Sequence, residues 1–417
     1  MPKLIKGKLW GYSTRYYRIM SNTTKKILIL TITAGEGHNS VAKALAARLE
    51  SMGHEVRVVD CLKGHSRFWY WALDSGYLTL AKYAPWLYNR NFRRSQKAGA
   101  KHRDKGISLR LVRAVQDQIN AIIDEYRPDS IVITYPIATR LPIEHKKSVS
   151  AKDTGDKNMT RIDSTDSCRQ SGSYPPIIGI ITDYCVHPTW EKSSEQDYII
   201  APDESLDDEL VRKGYRLDQI KHFGIPTREA FGGEIKDKQE LRLQLGLEDK
   251  PTVMIMFGGN SSMGNPAKLI RALDSSDKDF QIVFVAGRTV KQKDRIDKLI
   301  AKGLSKPVVC LGFVANVHEY MAASDVLIGK AGAISLNESL NMRLPLIVAG
   351  KVVAQEADNV RFVTTQKAGI YAGKVKSAAA IAVEIITNHE LRQNLISGIE
   401  KIRKPAALTD ICDLIVG

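Results

Sequence analysis

The sequence predicts an α/β fold made of two doubly wound, parallel-sheet halves that face a cleft. Three observations carry this. Short apolar runs of strand length recur along the 417 residues and alternate with helical patterns. Two of these runs lead into glycine turns, Gly35-Glu36-Gly37-His38 early and Gly329-Lys330-Ala331-Gly332 late. The length also exceeds what one hydrophobic core usually serves, so two domains are the default.

The late stretch, Asp325 to Asn359, is the most informative. Val326 to Ile328 reads as a buried strand, and the glycine turn leads into a helix over about Ala333 to Met342. A second apolar run, Leu344 to Ala349, completes a βαβ unit. Glycine at such a turn lets a ligand come close to the backbone. The free N–H groups of the helix start then favour an anion, typically phosphate. Glu338, one and a half turns on, suits a pair of ribose hydroxyls; with Ser335 it also fits a capping box. Gln355, Glu356 and Asn359 follow the next strand at a spacing that suits sugar hydroxyls, or equally a solvated helix start. Upstream, the strand Val253 to Phe257 runs into a loop from Gly258 to Gly264 that contains Gly259 and Asn260 and is also suited to phosphate. Strands at Gln281 to Ala286 and Val308 to Leu311 follow, the latter leading to Gly312-Phe313-Val314.

The first half has the same grammar. Lys25 to Thr33 is a strand, and Asn39 is placed to cap a helix to about Met52 with Val41, Leu45 and Leu49 on one face. Glu55 to Asp60 is the next strand. The pattern approaches a dinucleotide fingerprint, but Ser40 stands where the third glycine belongs. His38, at the turn and a helix N-terminus, suits a general base, since the dipole favours its neutral form; a surface loop histidine is the plain alternative. A helix over about Ile107 to Tyr126 leads to the strand Asp129 to Tyr135, and Ile177 to Thr182 is another buried strand. It ends in Asp183-Tyr184-Cys185-Val186-His187, where open α/β sheets bind ligands. The simpler reading there is a turn with a capping Asp. The expected division is a basic aromatic tail over 1–26, a first domain over 27–227 with a polar, flexible insertion at 145–176, and a second domain over 228–417.

Hydrophobic residues make up 43% and charged residues 26%, ordinary for a globular protein, while the formal net charge is +15. That balance asks for an anionic partner. The basic residues concentrate with aromatics in two places. Residues 1–26 contain no acid, and residues 66–105 mix Trp69, Trp71, Tyr83 and Trp86 with Arg90, Arg93 and Arg94. Such mixtures suit an anionic membrane surface, which we expect here. A packed aromatic helix with a solvated basic loop, or single-stranded nucleic acid, are the alternatives; no nucleic-acid partner is expected. Five scattered cysteines without a CxxC pair point to a reducing compartment and away from disulfides or structural zinc. No signal peptide and no apolar run of spanning length is visible. The expected location is the cytoplasm, peripheral to the membrane.

Several segments together resemble the diacylglycerol glycosyltransferases of glycosyltransferase family 28, which include monogalactosyldiacylglycerol synthases and processive diacylglycerol glucosyltransferases. They are AGEGHNSVAKALAARL (34–49), YLTLAKYAPWLYN (77–89), TDYCVHPTW (182–190), FGIPTREAF (223–231), FGGNSSMG (257–264), LGFVANVHEYM (311–321), GKAGAISLNESL (329–340) and AQEADN (354–359). The resemblance implies a GT-B fold, two Rossmann-like domains facing a cleft, with a UDP-sugar held by the second. It implies that Phe313 and Val314 hold the uracil, that Gly332, Ala333 and Ile334 face the diphosphate, that Glu338 takes the ribose, and that Gln355 and Glu356 take the sugar. His38 matches the family's base, Asp183 and His187 its acceptor-side motif, and the aromatic-basic segment its lipid-facing region. The chain departs from the family pattern at Gly332-Ala333, at Lys351-Val352-Val353-Ala354 and at Asn260-Ser261-Ser262. These departures bear on the donor sugar more than on the reaction class.

The expected function is therefore inverting transfer of a hexose from a UDP-sugar to diacylglycerol or a related lipid at the cytoplasmic membrane face. No cofactor and no essential metal are expected, since no Asp-x-Asp pair of the kind that would hold a divalent cation is seen. Two alternatives stay open. One is transfer of N-acetylglucosamine or another sugar to a different acceptor. The other is a non-catalytic UDP-sugar-binding regulator at the membrane, which would need neither His38 nor Asp183.

Overall fold

A computed structural model describes residues 23–33, 36–63, 107–153, 174–187, 190, 195–258, 265–352 and 354–417. Residues 1–22 of the expected 1–26 tail and the candidates Tyr83, Trp86, Arg90, Arg93, Arg94, Gly259 and Asn260 lie outside the described residues, while Lys26 already belongs to the first strand of the first domain.

The strands form two six-stranded sheets, and every pairing in both is parallel. The first holds β1 (Lys26–Thr31), β2 (Glu55–Asp60), β3 (Ser130–Ile133), β4 (Ile177–Ile180), β5 (Tyr198–Ile200) and β6 (Ile220–Lys221), in the order β2-β1-β3-β4-β5-β6. The second holds β7 (Thr252–Met256), β8 (Gln281–Val285), β9 (Val308–Leu311), β10 (Val326–Gly329), β11 (Leu346–Ala349) and β12 (Gly369–Gly373), in the order β12-β11-β10-β7-β8-β9. Central strands such as β3, β4, β8 and β10 are buried along their whole length, while the edge strands β2 and β9 are only partly covered. This is why they read as continuous apolar runs: helices cover both faces of a parallel sheet.

The helices around these sheets include α1 (Glu36–Ser51), α2 (Ile107–Tyr126), α3 (Arg140–Asp153), α4 (Ala333–Asn341), α5 (Ala354–Thr365) and α6 (Ala407–Val416). Each sheet reverses its strand order once, between β1 and β3 in the first and between β10 and β7 in the second. Crevices open at the carboxyl ends of strands at such points. The segments after β1, β3 and β4 and the turn after β10 therefore converge on the cleft.

Three sequence expectations change here. α1 begins at Glu36, so Gly37 and His38 lie in its first turn and Asn39 is not its cap. The Asn39 amide instead donates to Thr33 Oγ1 at 3.0 Å. Residues 145–153 of the expected flexible insertion belong to α3, and His145 is buried, with Asp124 Oδ1 3.1 Å from its Nε2. Residues 154–173 lie outside the described residues. Finally, α6, grouped by sequence with the second half, packs against α1 and β3 of the first. Ser130 Oγ donates to the Ile415 carbonyl at 2.8 Å and Lys25 Nζ to the Val416 carbonyl at 2.5 Å. The chain thus crosses between the halves twice. The crossings touch at Gly224, whose φ of +96° puts any Cβ 2.6 Å from Lys404 Cβ, so only glycine fits.

Candidate active site

On the first-domain wall, His38 is half-buried at the start of α1. Its Nδ1–H donates to the Thr134 carbonyl at 2.7 Å, just past β3, and the Thr182 hydroxyl lies 3.0 Å from the same nitrogen. A carbonyl only accepts, so the proton is fixed on Nδ1 and the lone pair is on Nε2. The Tyr135 ring meets the imidazole edge-on at 4.7 Å. Burial pushes the imidazole down to about 4 against the opposing Thr134 bond, so it is neutral at pH 7 and able to accept a proton. Asp183 follows Thr182 directly. Burial lifts its carboxyl to about 7, with the hydrogen bond from Asn359 opposing and Glu356 and Asp358 adding to the rise. His187 lies four residues on in the same loop, half-buried.

On the facing wall, the N-cap of α4 is Gly332 and no side chain caps the helix among the described residues. The N–H groups of Ala333 and Ile334 thus open the helix, as an anion site requires. Because the helix starts at Ala333, Ser335 and Glu338 both sit inside it and form no capping box. Glu338 is 9% exposed, and its only charged neighbour among the described residues is Arg228, 3.9 Å away. Burial raises its carboxyl to about 7, with Arg228 opposing. Arg228 also donates to the Ala315 carbonyl at 3.2 Å, tying the segment after β9 to Glu338. Phe313 of that segment is 65% exposed, with the Arg288 guanidinium 5.0 Å from its ring centre. An open aromatic face offers a base a stacking surface. Val314 beside it is partly buried.

Gln355 and Glu356 open α5, and Glu356 pairs with Lys330 of the glycine turn at 3.0 Å. Asn359 departs from expectation. It is 0% exposed and its amide is committed inside the protein, so it does not reach sugar hydroxyls. Its Nδ2 donates to Asp183 Oδ1 at 3.0 Å and to the Ala331 carbonyl at 2.9 Å, and its Oδ1 accepts from Tyr184 N–H at 2.8 Å. The walls also meet at the two helix starts, where a Cβ on Gly37 would lie 3.7 Å from Ile334 Cγ1.

Sequence reasoning thus missed Thr134, Thr182, Arg228, Lys330 and Tyr184. Lys330 and Arg228 carried a signal, as lone cations inside glycine- and proline-marked turns. Thr134 acts through its backbone carbonyl and carries none. Among the described residues, no cluster of metal-ligating side chains occurs and no helix is long and apolar enough to cross a membrane.

Residues 38–153 and 163–227 match the monogalactosyldiacylglycerol (MGDG) synthase family, and residues 264–406 match the glycosyltransferase family 28 C-terminal domain. A probable chloroplastic monogalactosyldiacylglycerol synthase of Glycine max is 28% identical over 407 residues, 94% of this chain and 71% of that one. A processive diacylglycerol beta-glucosyltransferase of Bacillus pumilus is 27% identical over 421 residues, 94% of this chain and 96% of that one. Among solved structures, Acinetobacter baumannii MurG shares the fold, with a TM-score of 0.58 at 14% identity over 94% of this chain and 99% of that one. Two parallel sheets facing one cleft, matched across both halves, make this chain a GT-B glycosyltransferase that belongs to the monogalactosyldiacylglycerol synthase and glycosyltransferase 28 family.

Proposed function

We propose that the chain is an inverting hexosyltransferase that moves sugar from a UDP-sugar to the free hydroxyl of diacylglycerol or a close lipid relative, at the cytoplasmic face of a membrane. The observation that carries this reading is the meeting of the first turn of α1, where His38 has its proton on Nδ1, with the uncapped start of α4. The acceptor oxygen attacks the anomeric carbon from the first-domain side while its proton passes to His38 Nε2. The bond from that carbon to the diphosphate oxygen breaks, and UDP leaves with the electron pair. One displacement inverts the anomeric centre. Asp183, which directly follows the Thr182 that contacts His38, supplies a negative charge for the developing imidazolium and is the competitor for the role of base. The N–H groups of Gly332, Ala333 and Ile334 and the α4 dipole meet the diphosphate as its charge grows. Lys330 adds a cation at the same turn, which supports charge compensation without a metal ion. Glu338 accepts from the ribose hydroxyls, Phe313 and Val314 hold the base, and Gln355 and Glu356 meet the sugar.

The Bacillus and Glycine relatives support diacylglycerol as acceptor, and the basic aromatic segments support a lipid surface as the place of work. The test is a donor panel on diacylglycerol vesicles: UDP-glucose, UDP-galactose, UDP-glucuronate and UDP-N-acetylglucosamine. Release of UDP that depends on the lipid, with an inverted glycoside as product, is expected from one donor. Tight UDP-sugar binding without turnover on any acceptor would instead establish a non-catalytic regulator.

A further inference from the structure

The loop after β4 and the helices of the second domain meet in a buried polar contact with Asn359 at its centre. Both amide hydrogens of Asn359 and one lone pair of its oxygen are used, on Asp183, Ala331 and Tyr184. Around it, Tyr184 OH donates to Asn337 Oδ1 at 3.0 Å, and the Tyr184 ring stacks on Phe362 at 3.8 Å. Tyr184 and Asn337 are themselves buried. One side chain of the second domain thus holds both the acid of the first domain and the turn that opens α4.

We propose that Asn359 is a positioning residue of the transfer reaction: anchored on Ala331 of its own domain, its amide holds the Asp183 carboxylate in working orientation only while the second domain is closed against the first at Asp183 and Tyr184. This rests on the proposed reaction, in which Asp183 works ionised, as base or as counter-charge to protonated His38.

The surroundings explain why an amide is needed. A contact that only joined the domains would be served by Tyr184, Asn337 and Phe362. Asn359 adds a hydrogen bond to a carboxylate that has little else in its favour. The titratable groups facing Asp183 are Glu356 and Asp358 of α5 and Cys185 of its own loop. Both acids disfavour its ionised form, as burial does, though Lys330 and Arg361 pair with them at 3.0 and 3.1 Å. A hydrogen bond donated to the charged form works in the opposite direction. Opening the cleft withdraws that donor, so proton transfer is tied to closure over the donor substrate.

The test compares wild type, Asn359→Ala and Tyr184→Phe for kcat, donor KM and the pH profile of kcat, with hydrogen exchange at the 183–187 amides. Asn359→Ala is expected to lower kcat by on the order of 100-fold, the cost of a misplaced reacting group. It should also move the acid limb to higher pH, because Asp183 loses the bond that favours ionisation. Donor KM should stay within about threefold, since Asn359 is not a donor ligand in this reading, while exchange of the Tyr184 amide speeds up. Tyr184→Phe keeps the Asn359 bond to Asp183 and should leave the acid limb in place. Should Asn359→Ala fail to fold, Asn359→Ser removes the same pair of donors with a polar group retained and is held to the same outcomes. A raised donor KM with an unmoved acid limb would make Asn359 a donor ligand and overturn the inference. Unchanged kcat and profile would make it a contact only, which also overturns it. A wild type that transfers no sugar overturns the reaction itself; an active wild type with an unshifted Asn359→Ala overturns this inference alone.

Discussion

At the reversal point of the first sheet, the cleft is lined by side chains whose hydrogen bonds are already assigned. At that of the second it is lined by a helix start and a carboxylate with bonds still to make. His38 has its proton held on Nδ1 by Thr134, and Asp183 already accepts from Asn359. The α4 start has no cap, and among the described residues no hydrogen bond reaches the Glu338 carboxylate. In the proposed reaction the same topological position serves two purposes. Groups that move a proton need a fixed tautomer and a tuned acidity. Groups that bind a nucleotide need unmet donors and acceptors, which cost nothing extra to reorganise when the ligand arrives.

The sharpest way to break this comparison is at His38. General-base assistance is worth about 10²–10⁴-fold, so His38→Asn should lower kcat by that factor and leave UDP-sugar affinity nearly unchanged. Steady-state kinetics with a separate donor-binding measurement decides. More than about a tenth of the wild-type rate remaining would make His38 a bystander, and a larger loss in Asp183→Asn would move the base there.

The next effect concerns the basic segment that the first half alone carries. Each Lys or Arg near an anionic surface is worth roughly 1 kcal/mol. Replacing Arg90, Arg93, Arg94 and Lys97 by Ser should weaken binding to anionic vesicles by about two to three tenfold steps, read by co-sedimentation. Unchanged pelleting would remove the membrane from the picture of this domain.

On the second wall, Glu338→Gln should raise donor KM about tenfold or more, since a charge-assisted bond to hydroxyls is worth roughly 1.5–3 kcal/mol. Because burial lifts the Glu338 carboxyl to about 7, only above that pH is it mostly the ionised acceptor. Donor KM in the wild type should therefore rise as pH falls through 7, and that dependence should be absent in Glu338→Gln. A KM profile flat in both proteins would contradict the ribose role.

The smallest expected effect is chelation. With Lys330 and the α4 start at the diphosphate, EDTA should leave the rate within about twofold. A larger loss, restored by magnesium, would show that the second wall is incomplete without a cation.

Much of both walls was legible in the sequence, and for local reasons. The glycine turns, the α4 start at Ala333 and the lone His38 depend on a few neighbouring residues and on apolar runs of strand length. Glu338 was legible because a carboxylate one and a half turns into a helix has no local partner. The capping alternative was local too, but the N-cap is Gly332, three residues before the Ser335 it needs. The misses share another cause. Asn359 sits at a helix start and reads as solvent-facing, yet its partners Asp183 and Tyr184 lie 176 and 175 residues away. Helix α6 reads as the end of the second domain, yet Ser130 reaches its Ile415 carbonyl across 285 residues.

Local sequence was enough for the pair of parallel sheets and for the positions of the glycine turns at their strand ends. Strand runs and glycine turns are written in neighbouring residues, and parallel-sheet topology then fixes where their ends must lie. Only the tertiary structure decided which nitrogen of His38 is free, what shares the surroundings of Asp183, and that Asn359 faces inward. Each of those depends on a hydrogen bond or a loss of solvent that exists only once segments far apart in the chain are packed together.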